Sequence, residues 1–234
     1  MQKKIILLSG PSCAGKTPLI RSLQRSHPEI SFGRPVLYTS REPRPNEKEG
    51  EDYFFRSAEE IQQLPSGRFV VAPTRHLWQA IDLDQVDLLL QENALVIFDV
   101  HPRLVKEFAE RDRLRYRSDL ALRRVFLQPA TLEEIQELTA KQGYETEQEA
   151  TAALMTPKLI SRAQQHGKPL TRDVLRDIDI RASHAWEEIL TGQDYDDIII
   201  NHDSEDSPHW HYTPPAGEAG AALQRFVEII KETQ

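Results

Sequence analysis

Residues Gly10-Pro11-Ser12-Cys13-Ala14-Gly15-Lys16-Thr17 place two glycines, a lysine and a hydroxyl side chain at the spacing that cradles a polyphosphate. The glycines let the main chain curl until successive N–H groups face inward, and Ser12, Cys13 and Ala14 contribute through those amides. Cys13 holds a position where its backbone matters more than its thiol. Lys16 supplies a point charge for the β- and γ-phosphates, and the Thr17 hydroxyl supplies a ligand for Mg²⁺. A helix opening at Lys16 adds its positive dipole end. The run predicts a binding site for a nucleoside triphosphate.

A second constellation follows in Thr39-Ser40-Arg41-Glu42-Pro43-Arg44, continued by Glu47, Gly50, Asp52 and Tyr53. Two arginines three apart, with Pro43 stiffening the chain between them, offer two planar forks to one anion. Tyr53 adds a hydroxyl donor. Taken alone, the block reads equally as a solvated charged loop. Beside a phosphate loop it reads as a second phosphate site, for an acceptor.

The elements that position these residues follow from the hydrophobic pattern. Ile5–Leu8, Leu95–Phe98, Val125–Leu127 and Ile198–Ile200 are short apolar runs separated by helical stretches, which predicts buried parallel strands in an α/β fold. Leu19, Ile20 and Leu23 mark the inner face of the helix after the loop, with Pro18 tolerated in its first turn. Ser57 with Glu60, and Thr131 with Glu134, are capping-box starts. Leu223, Phe226, Val227 and Ile230 predict an amphipathic C-terminal helix. Residues 143–184 are polar and helical, a candidate lid. Residues 202–220 read as a long loop whose composition suggests flexibility. His202, His209, His211, Asp203 and Asp206 within it fit no familiar metal-ligand spacing.

Composition narrows the partners. The 234-residue chain carries a net charge of −8, which argues against a surface for nucleic acid polymers. No stretch approaches the ~20 apolar residues of a membrane span, and the apolar run after Met1-Gln2-Lys3-Lys4 is too short for a signal peptide. Cys13 is the single cysteine, so no intramolecular disulfide forms. The expectation is a cytoplasmic protein, monomer or homodimer, that engages small molecules rather than a membrane.

The phosphate loop followed by Thr39-Ser40-Arg41-Glu42-Pro43-Arg44, Glu47, Gly50, Asp52 and Tyr53 resembles the guanylate kinase family. The likeness continues at Ile97-Phe98-Asp99, at Arg181 to Glu187 and at Ile199-Ile200-Asn201. The resemblance implies a P-loop NTPase three-layer fold with a mostly parallel central sheet, using ATP and Mg²⁺. It implies one domain over 1–234, with core segments 1–33, 85–140 and 190–234, an acceptor-binding region 34–84 and a lid at about 141–189. Carried onto this chain, Arg41, Arg44 and Tyr53 grip a monophosphate, and Asp99 is the carboxylate near Mg²⁺ and the phosphates. Arg181 neutralises charge during transfer with Lys16 and Arg44, and Asn201 lies close to the donor adenine. The residues alone also permit Asp99 as a helix cap and Arg181 as a surface ion-pair partner.

The pattern breaks where guanine would be read. The stretch Phe69–Ala80 contains no acid, Trp78 and Gln79-Ala80 stand at the family's Tyr-Gly-Thr/Ser run, and Leu37 replaces a serine. Trp78 either stacks on another ring of the acceptor or is an ordinary core tryptophan. His101 replaces a second strand-end aspartate, and Pro18 removes a hydroxyl and an N–H from the loop's helix. Lys141-Gln142-Gly143 occupies an arginine-rich site, and Lys158, Arg162, Lys168, Arg172 and Arg176 form a basic insert, a reach for an anionic acceptor or a solvated helix face. Three readings stay open: a nucleoside monophosphate kinase, a kinase for another phosphorylated metabolite, and a non-catalytic binding module. The intact Gly15-Lys16-Thr17 favours an enzyme.

Overall fold

The computed structural model describes residues 2–44, 47–111, 114 and 117–232. Its chain divides into two compact units, Met1–Leu8 with Ser31–Arg124, and Ser9–Ile30 with Val125–Gln234.

In the first unit, β1 (Lys3–Ser9, to Leu8) pairs in parallel with β6 (Leu95–Asp99), Ile5 opposite Val96 and Leu7 opposite Phe98. Ile5, Ile6, Leu7 and Leu8 are all fully buried, as a parallel strand covered on both faces requires. Each contributes about 1.5–3 kcal/mol of burial free energy. A second sheet in the same unit has the order β3-β2-β5-β4, from β2 (Leu37–Thr39), β3 (Tyr53–Phe55), β4 (Phe69–Thr74) and β5 (Leu77–Asp82). The hairpin β4–β5 was not evident from the sequence. Thr74 pairs with Leu77 across a two-residue turn in which Arg75 adopts φ +61°. Helices α2 (Ala58–Gln62), α3 (Leu83–Glu92) and α4 (Pro102–Ala109) complete the unit. The expected capping box is present on α2, between Ser57 and Glu60.

In the second unit, β7 (Leu120–Gln128, from Val125) pairs in parallel with β8 (Asp197–Ile200). Helix α1 (Lys16–Ser26) carries Pro18 as its third residue, where the missing N–H is an orphan in any case. It buries Leu19, Ile20 and Leu23 as expected. Helix α5 (Leu132–Gln142) has the Thr131–Glu134 capping box and ends on Gly143 at φ +72°. The polar stretch expected to be helical forms α6 (Glu147–Gln165) and α7 (Arg172–Ser183), followed by α8 (Ala185–Gly192). Helix α9 (Gly217–Glu232) buries Leu223, Phe226, Val227 and Ile230.

The 202–220 stretch is more structured than its composition suggested. It contains a 3-10 helix, Pro208–His211, whose Trp210 is only 3% exposed. Asp203 ties it together, accepting hydrogen bonds from Ser207 Oγ at 2.9 Å and the Ala219 N–H at 3.0 Å, and pairing with His209 Nδ1 at 2.8 Å. Burying one indole and satisfying one carboxylate outweighs the loop-like composition.

Candidate active site

The phosphate loop belongs to the second unit, and its curvature depends on glycine. Gly10 sits at φ +146°, and a Cβ there would fall 2.2 Å from the Leu127 carbonyl oxygen. Gly15 sits at φ +97°, where a Cβ would fall 2.8 Å from Asn201 Nδ2. Cys13 takes a left-handed φ of +66° without being glycine, at a cost of about 1–2 kcal/mol. Strain of this kind persists where the surrounding structure demands a particular amide direction. Gly15 caps α1 with no side-chain hydrogen bond, so the first turn presents main-chain donors to a ligand. The Lys16 ammonium donates to the carbonyls of Gly10 and Pro11, each at 2.7 Å, which folds it over the loop. Thr17, in the first turn of α1, is partly exposed.

Two further predicted residues meet this loop. Arg181 donates through Nη1 to Ser12 Oγ at 3.3 Å and through Nε to Asp177 at 2.7 Å, so it is not simply a surface ion-pair partner. Asn201 is fully buried, and its Nδ2 donates to the carbonyls of Ala14 and Asp203, each at 2.9 Å. That placement makes Asn201 a brace for the loop's main chain. Its Oδ1 is buried with no hydrogen-bond partner among the described residues. Burial, the largest influence, pushes the Cys13 thiol up, which keeps it neutral and unsuited to nucleophilic work.

Sequence reasoning missed Trp210. It packs close to Gly15, donates through Nε1 to the Ser204 carbonyl at 2.9 Å, and its own carbonyl accepts from Arg25 at 2.6 Å. A tryptophan inside an otherwise polar run was the available signal.

The arginine pair belongs to the first unit, on the second sheet. Leu37 pairs with Tyr53, and Thr39 with both Phe55 and Gln79, so these five residues share one face. Tyr38, Phe54, Trp78 and Ala80 share the other. There Trp78 packs against a cluster of Ile61, Phe69 and Ala80. The pleat puts half-buried Trp78 on the face away from Tyr53, against that cluster, which favours the core alternative of its two readings, and it puts Gln79 on the Tyr53 face. The Gln79 Oε1 is buried without a hydrogen-bond partner among the described residues.

Glu47 organises the arginines. It accepts two hydrogen bonds from the Arg41 guanidinium, both at 2.6 Å, and one from the Arg44 N–H at 2.7 Å, with Arg44 Nη1 at 3.8 Å. Burial pulls the Glu47 carboxyl up, but these donors and charges outweigh it and hold it below the usual carboxylate range. Arg41 also lies over the Tyr53 ring at 4.9 Å and the Phe55 ring at 5.7 Å. Both guanidinium groups are thus preorganised before any anion arrives. Pro45 and Asn46, between them and Glu47, lie outside the described residues.

Next to this grip is a cavity of about 140 Å³ lined by Arg34, Leu37, Asp52, Tyr53 and Asp99, with Pro35 and Glu51. Burial first, then the charge of Asp99, pushes the Tyr53 hydroxyl up to about 12 against the arginines, so it remains a donor at neutral pH. Asp99, at the end of β6, pairs with Arg34 at 2.8 Å. Sequence reasoning did not single out Arg34. Asp99 does not cap α4 either. His101 does so, accepting from the Arg103 N–H at 3.3 Å, which explains a histidine at that strand-end position.

The guanylate kinase family model matches residues 2–158. The guanylate kinase of Synechococcus sp. (strain JA-3-3Ab) is 31% identical over 155 residues, 62% of this chain and 63% of that protein, so the chain spans under two thirds of that relative's length. The Sus scrofa guanylate kinase is 30% identical over 155 residues, 65% of this chain and 74% of that protein. The crystal structure of guanylate kinase from Anaplasma phagocytophilum superimposes with a TM-score of 0.58 at 18% identity, covering 100% of this chain and 87% of that one, and so shares the α/β fold with its mostly parallel central sheet. With its phosphate loop, its arginine pair and a family match over more than half its length, the chain belongs to the guanylate kinase family of P-loop nucleoside monophosphate kinases.

Proposed function

We propose that this protein transfers the terminal phosphoryl group of ATP to the phosphate of a small acceptor, most simply a nucleoside monophosphate. The observation that carries the reading is Glu47 holding Arg41 and Arg44 on the Tyr53 side of a small cavity, in a chain that also has an intact phosphate loop. Phosphoryl transfer asks a protein for placement, charge neutralisation and exclusion of water rather than covalent chemistry. The main-chain amides of the Gly10–Thr17 loop, Pro11 excepted, and the Lys16 ammonium bind the donor's phosphates, and Asn201 braces the loop close to its base. Arg41, Arg44 and the Tyr53 hydroxyl bind the acceptor's phosphate. Lys16, Arg44 and Arg181 neutralise charge as the phosphoryl group moves. The Thr17 hydroxyl and the Asp99 carboxylate would hold Mg²⁺, which would supply charge neutralisation during transfer. For Asp99 this requires exchanging Arg34 as its partner.

The face expected to read guanine is altered at Leu37 and Gln79, although Glu51, Asp52 and Asp99 supply carboxylates to the adjoining cavity. Guanine presents N–H donors that call for a carboxylate, whereas Leu37 is apolar and Gln79 offers a neutral carboxamide on the same face. A site lacking an expected buried acceptor commonly discriminates differently by several kcal/mol, about 2 or more. The same observation supports the second reading, a phosphorylated metabolite that is not a nucleotide. The reaction belongs to the cytoplasm, with small molecules as partners and one chain or a homodimer as the working form.

ADP release from Mg·ATP, measured with a panel of nucleoside monophosphates and other phosphorylated metabolites, tests the proposal, with Lys16→Ala as control. Turnover with one or more nucleoside monophosphates is the expected result. Turnover with GMP alone would restore guanine specificity. Turnover with a sugar phosphate alone would select the second reading, and binding without turnover would select a binding module.

A further inference from the structure

Within the second unit, a strap formed by residues 201–210 meets three consecutive residues of the phosphate loop. The Glu205 N–H donates to the Cys13 carbonyl at 3.1 Å. Asn201 Nδ2 donates to the Ala14 carbonyl at 2.9 Å. The Trp210 ring packs so closely on Gly15 that a Cβ there would fall 3.0 Å from it. The strap is itself held from several sides. Arg25 of α1 donates to the Trp210 carbonyl at 2.6 Å, and the indole Nε1 donates to the Ser204 carbonyl at 2.9 Å. Asp203 accepts from the Ala219 N–H, near the start of α9, at 3.0 Å.

A trans peptide points the carbonyl of one residue and the N–H of the next in opposite directions. Holding the Cys13 and Ala14 carbonyls on the strap's side therefore turns the Ala14 and Gly15 N–H groups away from it. The Ala14 N–H points across the loop, to the Pro11 carbonyl at 3.3 Å, the oxygen that the Lys16 ammonium reaches at 2.7 Å. Cys13 keeps a φ of +66°, a conformation that persists only where neighbours over-determine it. The strap's hold on the Cys13 carbonyl is one such constraint. The family model matches residues 2–158, so the strap lies beyond that match.

We infer that Trp210 is a positioning residue for the donor, the anchor of a strap that fixes the Ala14 and Gly15 amides in their phosphate-binding direction. Trp210 acts through the loop's main chain and touches no substrate. Without the anchor the loop samples other amide directions, and the donor's apparent affinity falls by the fraction of loops still correctly set. A saturating donor restores the set loop, so the loss appears in KM and not in kcat. By linkage, a bound donor must in turn steady the strap. This inference rests on the loop binding a triphosphate, as proposed above.

The test combines calorimetry with Mg·AMP-PNP and with magnesium tripolyphosphate, and steady-state kinetics with Mg·ATP and the best acceptor, on Trp210→Ala, Trp210→Phe and Arg25→Met. Trp210→Ala is expected to weaken both calorimetric probes by the same factor, about tenfold, and to raise the ATP KM to match. Its kcat stays within about threefold of wild type, and the acceptor KM is unchanged. Trp210→Phe recovers most of the affinity, and Arg25→Met, which frees the Trp210 carbonyl, costs about threefold. In the wild type, Mg·AMP-PNP slows hydrogen exchange at residues 203–210. A lowered melting temperature with both affinities unchanged would make the strap merely structural and overturn the inference. A loss confined to Mg·AMP-PNP would mean that Trp210 touches the nucleoside, and would overturn it equally. Should Trp210→Ala not fold, Trp210→Phe and Arg25→Met decide, and wild-type affinity in both rejects the brace. A wild type that binds neither probe overturns the loop reading and this inference with it. Binding without turnover on any acceptor counts against the transfer reaction, and the affinities still decide the role of Trp210.

Discussion

The two candidate anion sites of this protein are built on different principles. The phosphate loop depends on its main chain, which takes positive φ at Gly10, Cys13 and Gly15. The arginine grip works through side chains, and those are held by other side chains, Arg41 and Arg44 by Glu47, and Arg34 by Asp99. A backbone site is encoded by adjacent residues and tolerates little change in conformation. A side-chain site is encoded by partners scattered through the sequence and can be retuned one residue at a time. That difference accounts for a chain that keeps Gly10, Gly15, Lys16 and Thr17 while Leu37, Trp78 and Gln79 depart from the family's pattern.

Substitutions in the two sites should therefore fail in different ways. The largest effect is expected for Lys16→Ala, which should lower kcat about 10³-fold while the melting temperature falls only slightly, because the hydrogen bonds lost to the Gly10 and Pro11 carbonyls are partly exposed to water. Near-normal turnover by that variant would break the comparison at its stronger end. Arg44→Ala should raise the acceptor KM by about 100-fold and the ATP KM by less than about threefold, as removal of a charge-assisted contact to one substrate predicts. A larger rise in the ATP KM would reassign the arginine.

Residues on opposite faces of the second sheet sharpen the contrast. Gln79→Ala should change the ranking of acceptors by about tenfold in kcat/KM, with little effect on stability. Trp78→Phe should cost about 1–2 kcal/mol of stability, read from chemical denaturation, and leave the ranking intact. The reverse outcome would mean that the register assigned to β5 is wrong.

The smallest effect concerns the clasp at His202, whose ring nitrogens lie 3.0 Å from Glu134 and 3.1 Å from Glu218. Hydrogen bonding to Glu134, partly opposed by burial and reinforced by Glu218, raises the His202 pKa above its ordinary value. A raised folded-state pKa stabilises the protein fully below the unfolded value, and that stabilisation disappears as pH rises through the folded one. Glu134 is itself held below its usual range, so the pair stays charged into mildly acidic solution. Solvent screening limits the gain to about 0.5 kcal/mol. The stability deficit of His202→Asn should be larger at about pH 5.5 than at about pH 8.5, and a deficit independent of pH would show that the clasp is uncharged.

Local signals in the chain were readable to the extent that their physics is local. The apolar runs of β1, β6, β7 and β8, the capping boxes at Ser57 and Thr131, and the stripe of α9 all appear where their spacing placed them. The β4–β5 hairpin escaped because its turn, Arg75-His76, lacks the usual Asn-Gly or Asp-Gly signature. Trp78 stayed open between acceptor and core because counting along the sequence could not reveal the pleat, and a shift of one residue exchanges the faces of a strand. Arg34 and Glu205 escaped because each takes its meaning from a partner more than 40 residues away.

From the amino-acid order alone came the phosphate cradle, the arginine pair, the alternating strands and helices and the kinship they imply. Those depend on contiguous geometry: a curl of main chain, a helical period, a buried strand. Only the folded chain decided that Glu47 organises both arginines, that Gln79 and not Trp78 shares a face with Tyr53, and that Glu205 and Trp210 meet the phosphate loop. Charge pairing and sheet register act between residues that only folding brings together, so no local spacing could have announced them.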